Sequence, residues 1–194
     1  MKNQLSPQKY ITTKARMLPF HECYVNENWK ESGMANIYIS KKMPSGNFIV
    51  GLFLVDIYCL GLKNTFYQFN LSSVESKDLL KKFIEHYDSK LPPCDIALAH
   101  NIIYGGIDFA EEIGFKPHKD FGITEFLLNP DLIDDGIDEI EFGKDEKPFF
   151  ISGPDDNVAR IIGVLNRTVG EGNYYFMDSP DEDYEDDYEE EEED

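Results

Sequence analysis

Residues 35–69 carry the alternation of apolar and polar positions that is typical of β-strands. Apolar side chains recur at alternate positions in residues 35–41, whereas residues 47–58 are apolar on both faces around their centre. Alternation predicts a half-buried strand, and a strand that is apolar on both faces is expected at the centre of a sheet. Residues 44–47, Pro-Ser-Gly-Asn, favour a turn, because proline fixes its own φ and glycine supplies a positive one. With residues 62–69 as a third strand, the pattern predicts an antiparallel meander.

A helical period replaces this alternation in two later segments. Residues 73–90 carry an apolar stripe, and residues 72–75 have the spacing of a capping box at its start. Residues 95–114 are apolar around nearly the whole circumference, which predicts a helix buried in the middle of the fold. The glycine pair at positions 105–106 weakens this helix locally, so it predicts the close approach of another backbone.

The remaining elements are shorter. Residues 123–128 are predicted to form a short helix, and residues 137–142 and 148–152 are predicted to form a second hairpin. A C-terminal helix follows, in which apolar residues recur at every third or fourth position from residue 158 to residue 169. Residues 170–177 are expected to lead off the domain.

Together these elements predict a single α+β domain over residues 1–177. Its architecture is an antiparallel β-meander packed against two long helices, with a second hairpin and a C-terminal helix. Residues 1–15 are polar and are expected to form either a loose arm or a short helix. Residues 178–194 are expected to be a disordered acidic tail, because they hold too few apolar side chains to form a core.

Charge is divided unevenly along the chain, which has 38 acidic and 18 basic residues and a net charge of -20. Residues 178–194 hold 13 of the acidic residues and no basic one, so the rest of the chain is only mildly acidic. Direct binding of nucleic acid is therefore not expected, although a local basic patch stays open. The tail is predicted to contact a basic protein partner. Shielding of a basic surface, mimicry of a nucleic-acid backbone and simple solubility are the alternatives.

Hydropathy and cysteine spacing predict a cytoplasmic protein. No run approaches the roughly 18 apolar residues of a membrane span, and the N-terminus lacks the apolar stretch of a signal peptide. The three cysteines are widely spaced and form no CxxC pair, which favours reduced thiols. No metal site is assigned, and the sequence does not identify a cofactor. A zinc set would need scattered ligands, namely His21, Cys23, Cys59, Cys94 and His118.

Asp56 is unusual because it lies between Val55 and Ile57 in an apolar strand. Burying an unpaired carboxylate costs several kcal/mol, so Asp56 is expected to have a partner, for which Arg16, Lys63, a histidine or a backbone N–H are the choices. A structural salt bridge is one interpretation. A catalytic acid with a perturbed pKa is the other.

The predicted helix over residues 95–114 carries one polar stripe, formed by His100, Tyr104, Asp108 and Glu111. A histidine and carboxylates on one face are able to bind a divalent metal, or to act as a base and the group that orients it. His118 follows in the next loop. In the alternative interpretation, His100 and Tyr104 form hydrogen bonds in the interior while the carboxylates face water.

Residues 153–157, Gly-Pro-Asp-Asp-Asn, lie between a predicted strand and a predicted helix, where phosphates bind in some folds. Two aspartates at this position would repel a phosphate. The segment is therefore interpreted as a helix cap.

Several further motifs form a set. They are ARMLP at 15–19, Cys23 with Trp29, VDIYCLGLK at 55–63, AHNIIYG at 99–105, GFKPHKDF at 114–121, FGK at 142–144 and SGP at 152–154. The set resembles a family of uncharacterised bacterial proteins of the Bacteroidetes type, some of which carry the small SEC-C zinc motif. The resemblance covers most of residues 10–175 and implies a shared fold but no particular activity. The SEC-C motif is absent here, so no zinc function is carried over.

Two hypotheses for the function follow. The first is a cytoplasmic binding or adaptor protein whose acidic tail contacts a basic protein partner. The second is a hydrolase, metal-dependent or not, that acts on nucleic acid through a His/Asp site between the hairpin and the central helix. Its catalytic residues would be Asp56, His100, Asp108 and His118.

Overall fold

The computed structural model describes residues 5–86, 90–132 and 140–178, and it has the predicted α+β class. Its main sheet is antiparallel, with the strand order β1-β2-β3-β4. The meander is confirmed, because β2 pairs with β3 and β3 pairs with β4. The four strands are β1 (Phe20–Val25), β2 (Met34–Lys42), β3 (Phe48–Asp56) and β4 (Gly61–Leu71).

Helices cover both faces of this sheet. They are α1 (Pro7–Lys14), α2 (Trp29–Ser32), α3 (Ser73–His86), α4 (Ile96–Glu112), α5 (Phe121–Thr124) and α6 (Val158–Thr168). Phe53 and Val55 of β3 pack with Ile103 of α4 on one face. Leu52 packs with Phe83 of α3 on the other. The central strand is therefore buried on both sides, as its unbroken apolar run predicts.

Local sequence signals fix the ends of the two long helices. Ser72 and Glu75 form the predicted capping box, with the backbone N–H of Ser72 donating to Glu75 at 2.8 Å and that of Glu75 donating to Ser72 Oγ at 3.3 Å. Asp95 caps α4 by accepting a hydrogen bond from the backbone N–H of Ala97 at 2.8 Å. Each cap satisfies backbone donors that have no partner inside the helix.

The glycine pair in α4 lies where the helix crosses the sheet. A Cβ atom on Gly106 would lie 2.6 Å from Val55 Cγ1, and one on Gly61 would lie 2.5 Å from the carbonyl oxygen of Gly106. Both distances are too short for a side chain, so the close backbone approach predicted from the sequence is confirmed. This crossing places the turn after β3 against the second half of α4.

The structure corrects the second hairpin predicted for residues 137–142 and 148–152, because an antiparallel bridge joins Lys144 and Lys147 at the predicted turn but the predicted pairing of the two runs is not found among the described residues. Residues 140–142 form no strand, and residues 137–139 lie outside the described part of the chain. Instead, β5 (Phe149–Ile151) pairs in parallel with β6 (Tyr175–Met177). The helix α6 provides the crossover that a parallel pair requires. Residues 175–177, which were expected to lead off the domain, therefore return to it.

The N-terminal segment forms a helix rather than a loose arm, because Ile11 of α1 is fully buried in a cluster with Leu127. Residues 1–4 lie outside the description. The predicted disordered tail, apart from Asp178, also lies outside the described residues. In the described ranges, no helix combines the length and the apolar character that crossing a lipid bilayer requires.

Candidate functional site

Asp56 ends β3 and is 5% exposed. Its Oδ1 accepts hydrogen bonds from the backbone N–H groups of Tyr58 and Cys59, both at 2.9 Å. Burial raises the pKa of this carboxyl to about 6, against the opposing effect of the hydrogen bonds. Of the partners expected from the sequence, the backbone N–H groups provide the direct contacts. Asp56 holds the turn that leads into β4.

His100 is fully buried in α4. The backbone N–H of Asn129 donates to His100 Nε2 at 2.9 Å, so this nitrogen is the acceptor and the proton is assigned to Nδ1. Nδ1 in turn donates to the carbonyl oxygen of Ile96 at 2.7 Å. Burial lowers the pKa of the ring, which favours this neutral form. His100 therefore has no free nitrogen for a substrate.

The polar stripe of α4 runs from the core to the solvent. Tyr104 is half-buried beside the ring of His100, and Asp108 is exposed. The turn held by Asp56 meets α4 at Gly106, which lies about 9 Å along the helix axis from His100. No hydrogen bond or ion pair within the described ranges joins any two of the four predicted catalytic residues. This matches the alternative interpretation, in which His100 is structural and Asp108 faces water.

Metal ligands do not cluster in the described part of the chain, where no group of three His, Cys, Asp or Glu side chains is arranged to bind an ion. All three cysteines are free thiols. The Sγ atoms of Cys23 and Cys94 are 3.3 Å apart, so that one thiol donates to the other. Cys59 is buried separately, in the cluster beneath α6.

A groove with a volume of about 810 Å³ opens between α6, the loop that follows α4 and the start of β4. Its size suits a small ligand or a short peptide segment. The loop contributes the fourth predicted residue, His118. Its lining includes Lys63 of β4, Lys116 and His118 of the loop, Asp155 and Asp156 before α6, and Arg160, Gly163 and Arg167 of α6.

The C-terminal half of α6 is held against the end of α4. Thr168 Oγ1 donates to the carbonyl oxygen of Ile113 at 2.7 Å. Gly114 has a φ of +97°, and a Cβ atom there would lie 2.7 Å from Thr168 Cγ2. By contrast, a Cβ atom on Gly163 would meet nothing within 4 Å. The absence of a side chain at Gly163 therefore leaves the groove open on this face of α6.

Three cations of the groove have no partner among the described residues. Lys116, Arg160 and Arg167 are exposed, and none of their side chains forms a hydrogen bond or an ion pair with any residue of 5–86, 90–132 or 140–178. Arg160 and Arg167 are seven residues apart, which places them on one face of α6 about 10 Å apart along its axis. Lys116 comes from the loop after α4. The arrangement suits an elongated anion with more than one charged group.

The acidic side chains of the groove lie at the start of α6. Asp156 Oδ2 accepts hydrogen bonds from the backbone N–H of Gly153 at 2.9 Å and from Lys63 Nζ at 2.8 Å. Asn157 Oδ1 accepts one from the backbone N–H of Arg160 at 3.0 Å. The interpretation of residues 153–157 as a helix cap is confirmed. Because Asp155 and Asp156 repel anions, the favourable place for an anion is farther along α6.

His118 is the only one of the four predicted catalytic residues that lines this groove. Its Nδ1 accepts a long hydrogen bond of 3.4 Å from the backbone N–H of Asp120. The Asp120 carboxylate is 3.9 Å from the same nitrogen, which is too far for a hydrogen bond. His118 therefore lacks the short carboxylate contact that orients a catalytic histidine.

Sequence patterns do not reveal the groove, because its cations come from three separate segments, with Lys63 in β4, Lys116 in the loop after α4 and the two arginines in α6. One signal was available, since Arg160 and Arg167 lie two helical turns apart with Gly163 between them. It does not show that Lys116 lies nearby. The negative net charge of the whole chain also gave no indication of a local cationic surface.

Known proteins do not supply an identity for this fold and groove. A comparison of the chain with protein-family models, curated proteins and solved structures finds no match. The resemblance to the bacterial family described above stays a prediction, and the function has to be argued from the groove itself.

Proposed function

We propose that this protein is a binding protein of the adaptor type, with two binding features of opposite charge. The first is the groove at α6, which accepts an elongated anion. The second is the acidic tail, which contacts a basic protein partner. The observation that carries the proposal is the convergence of Lys116, Arg160 and Arg167 on one groove without a carboxylate partner in the described chain.

The contrast with the predicted catalytic residues supports binding over catalysis. Each polar atom of His100 and the Oδ1 of Asp56 are occupied by backbone groups. A general base must come within hydrogen-bond reach of the proton that it removes. A site shared by Asp56, His100 and Asp108 does not meet that requirement.

The spacing of the cations supports an extended ligand. Arg160 and Arg167, whose positions are about 10 Å apart along the axis of α6, suit anionic groups separated by several bonds, as in a linear polyphosphate or an acidic peptide. Each exposed ion pair contributes about 0.2–1 kcal/mol, so several must act together. Binding should weaken steeply with salt, because the sites are exposed.

Two segments on which the family resemblance rests line this groove, and a third precedes it. Residues 55–63 supply Lys63, residues 114–121 supply Lys116 and His118, and residues 152–154 lead into the cap of α6. The proposal therefore predicts that members of that family share the framework of the groove.

The groove can be tested with linear tripolyphosphate as the probe. The protein for this test is the full chain in which the 12 acidic residues of 181–194 are replaced by Asn and Gln, so that the tail cannot compete with the probe for the groove. Arg160→Gln with Arg167→Gln should weaken binding by a factor of about 2 to 30, as expected for the loss of two exposed ion pairs of about 0.2–1 kcal/mol each. The matched control is Lys77→Gln with Lys82→Gln, which removes two charges from α3 on the opposite face of the sheet. Equal affinity of both double variants would contradict the proposal.

The tail can be tested by its partners. Affinity capture with the full chain and with the charge-neutral tail variant should give partner lists that differ in basic proteins, because the fold is unchanged while the polyanion is lost. Identical lists would remove the tail from the proposal. That result would leave the proposed anion site in the groove untouched.

A hydrolase that acts on an anionic substrate is the second candidate. It is favoured by the position of His118 beside the cations of the groove. The measurement is hydrolysis of p-nitrophenyl phosphate and of single-stranded DNA by the wild type and by His118→Gln. Turnover that is absent, or that is equal in the two proteins, removes this candidate.

A further inference from the structure

We propose that the acidic tail, residues 181–194, binds the groove of its own chain when no partner is present. The tail would then be an intramolecular competitor of any anionic ligand. This inference rests on the proposed function, since it takes the groove as an anion site. It adds the identity of one occupant and a means of regulation.

The last described residue before the acidic tail, Asp178, lies near the groove. The backbone N–H of Ser152 donates to the carbonyl oxygen of Met177 at 3.0 Å, and Ser152 Oγ donates to Asp178 Oδ1 at 2.5 Å. Ser152 is four residues before Asp156, a residue of the groove, so the two are at most about 15 Å apart. The last described residue is therefore fixed near the start of α6.

The tail is long enough to cover the groove. Sixteen residues follow Asp178. An extended chain of that length reaches about 50 Å, and a flexible one has an average end-to-end distance of roughly 20 Å. The 11 residues of α6 span only about 16 Å. The acidic run begins at Asp181, three residues after Asp178.

The charges are complementary. Residues 181–194 contain 12 carboxylates and no basic residue. The groove offers Lys116, Arg160 and Arg167, none of which has a partner in the described chain. Lys63 already neutralises Asp156 at 2.8 Å, so Asp155 is the one groove carboxylate of the described residues that opposes the tail without an ion pair.

Attachment to the same chain compensates for weak individual contacts. A short flexible connection gives an effective concentration in the millimolar range. The 12 carboxylates of residues 181–194 share the three groove cations, so that together at low salt they are expected to populate the bound tail without holding it against a tighter ligand. A basic partner that binds the tail should also free the groove, because the same carboxylates cannot serve both surfaces.

Zero-length cross-linking of the full chain tests this contact directly. A water-soluble carbodiimide adds to a carboxylate to give an O-acylisourea, and a lysine amine then displaces the urea formed from the carbodiimide, leaving an amide. In the monomer fraction at about 20 mM salt, cross-links from residues 181–194 to Lys116 should be several-fold more abundant than those to Lys77 or Lys82 of α3. They should be lost at about 500 mM salt, where the Debye length falls below 5 Å.

Two variants make the result specific. Lys116→Arg keeps the charge and removes the amine, so it should remove that cross-link alone. Arg160→Gln with Arg167→Gln keeps the amine and removes two cations, so it should reduce the cross-link several-fold. Cross-links that are spread evenly over the lysines, or that are unaffected by the arginine variant, would overturn the inference.

A second measurement separates this inference from the proposed function. The side-chain Nε–Hε signals of Arg160 and Arg167 should shift between the wild type and the charge-neutral tail variant at low salt. If tripolyphosphate binds the neutral-tail variant but these signals do not shift, the groove stands and the tail contact is overturned. If tripolyphosphate also does not bind the neutral-tail variant, the proposal that the groove is an anion site is itself contradicted.

Discussion

The buried polar residues and the groove cations differ in whether their side chains find hydrogen-bond partners within the protein. Lys41 is fully buried, and its Nζ donates to the carbonyl oxygens of Ala15 and Arg16 at 2.9 and 3.1 Å. Burial lowers its pKa to about 8, yet both contacts are made within the protein. Arg160 and Arg167 have no such partner in the described chain. The interior residues are therefore structural, and the capacity to bind another molecule lies at the groove.

The sequence directs attention to the buried titratable residues as the functional ones, whereas the structure directs it to the exposed arginines of the groove. A charged or titratable residue in an apolar segment attracts attention because its burial is costly. In this fold the cost is met within the protein by backbone donors and acceptors, as for Asp56 and His100. An arginine on the exposed side of a short amphipathic helix attracts little attention. Its importance depends on which other elements lie beside that helix.

The largest predicted effect is on the interior. His100→Ala should lower the free energy of unfolding by about 3 kcal/mol, because it leaves a cavity and an unpaired N–H at Asn129. Chemical denaturation measures this loss. Asp108→Ala, on the exposed face of the same helix, is the control and should change stability by less than about 0.5 kcal/mol. Equal effects of the two substitutions would show that His100 is not structural.

The second prediction concerns pH. The pKa of Asp56 is raised to about 6 in the folded protein, so the native state holds this proton more tightly than the unfolded state. The corresponding stability is present below about pH 4 and is lost as the pH rises through 6, by about 3 kcal/mol in total. Asp56→Asn removes this dependence. The stability of the variant relative to the wild type should therefore rise by that amount between about pH 4 and pH 7.

Asp108→Asn is the control for this measurement, because Asp108 is exposed. Its stability relative to the wild type should stay constant over the same range of pH. A constant difference for Asp56→Asn as well would mean that the Asp56 carboxyl titrates normally, and the burial argument would fail.

A smaller effect is expected at the glycine of the groove. Gly163→Ala should raise the free energy of unfolding by about 0.5–1 kcal/mol, because alanine favours the helix and its Cβ meets nothing within 4 Å. It should also weaken tripolyphosphate binding by narrowing the groove. Gly106→Ala is the matched comparison in α4 and should destabilise the protein, since its Cβ would lie 2.6 Å from Val55. Thermal unfolding distinguishes the two signs.

The smallest effect on stability belongs to the groove cations. Arg160→Gln and Arg167→Gln should each change the free energy of unfolding by less than about 0.5 kcal/mol, because they have no partner to lose in the described chain. Denaturation of the double variant, alongside the binding measurement, checks this. A loss as large as that of His100→Ala would show that these arginines are structural, and the comparison between the two regions would fail.

Local patterns predicted most of the fold. Alternation, the turn at residues 44–47 and the capping box at Ser72 act between near neighbours, and the meander, α3 and α4 follow from them. The parallel pairing of β5 with β6 could not be predicted in this way. Two runs close in sequence suggested a hairpin, whereas the partner of β5 lies beyond α6 in the sequence.

The sequence by itself determined the class of the fold, the close approach at Gly106, the need of Asp56 for a partner and the concentration of acidic residues at the C-terminus. Periodicity and the cost of burial act on the residues themselves, whatever lies across the fold. Only the tertiary structure decided that His100 is bonded at both nitrogens and that Lys116 lies with Arg160 and Arg167. Those facts depend on contacts between distant segments, and local sequence patterns do not specify such contacts.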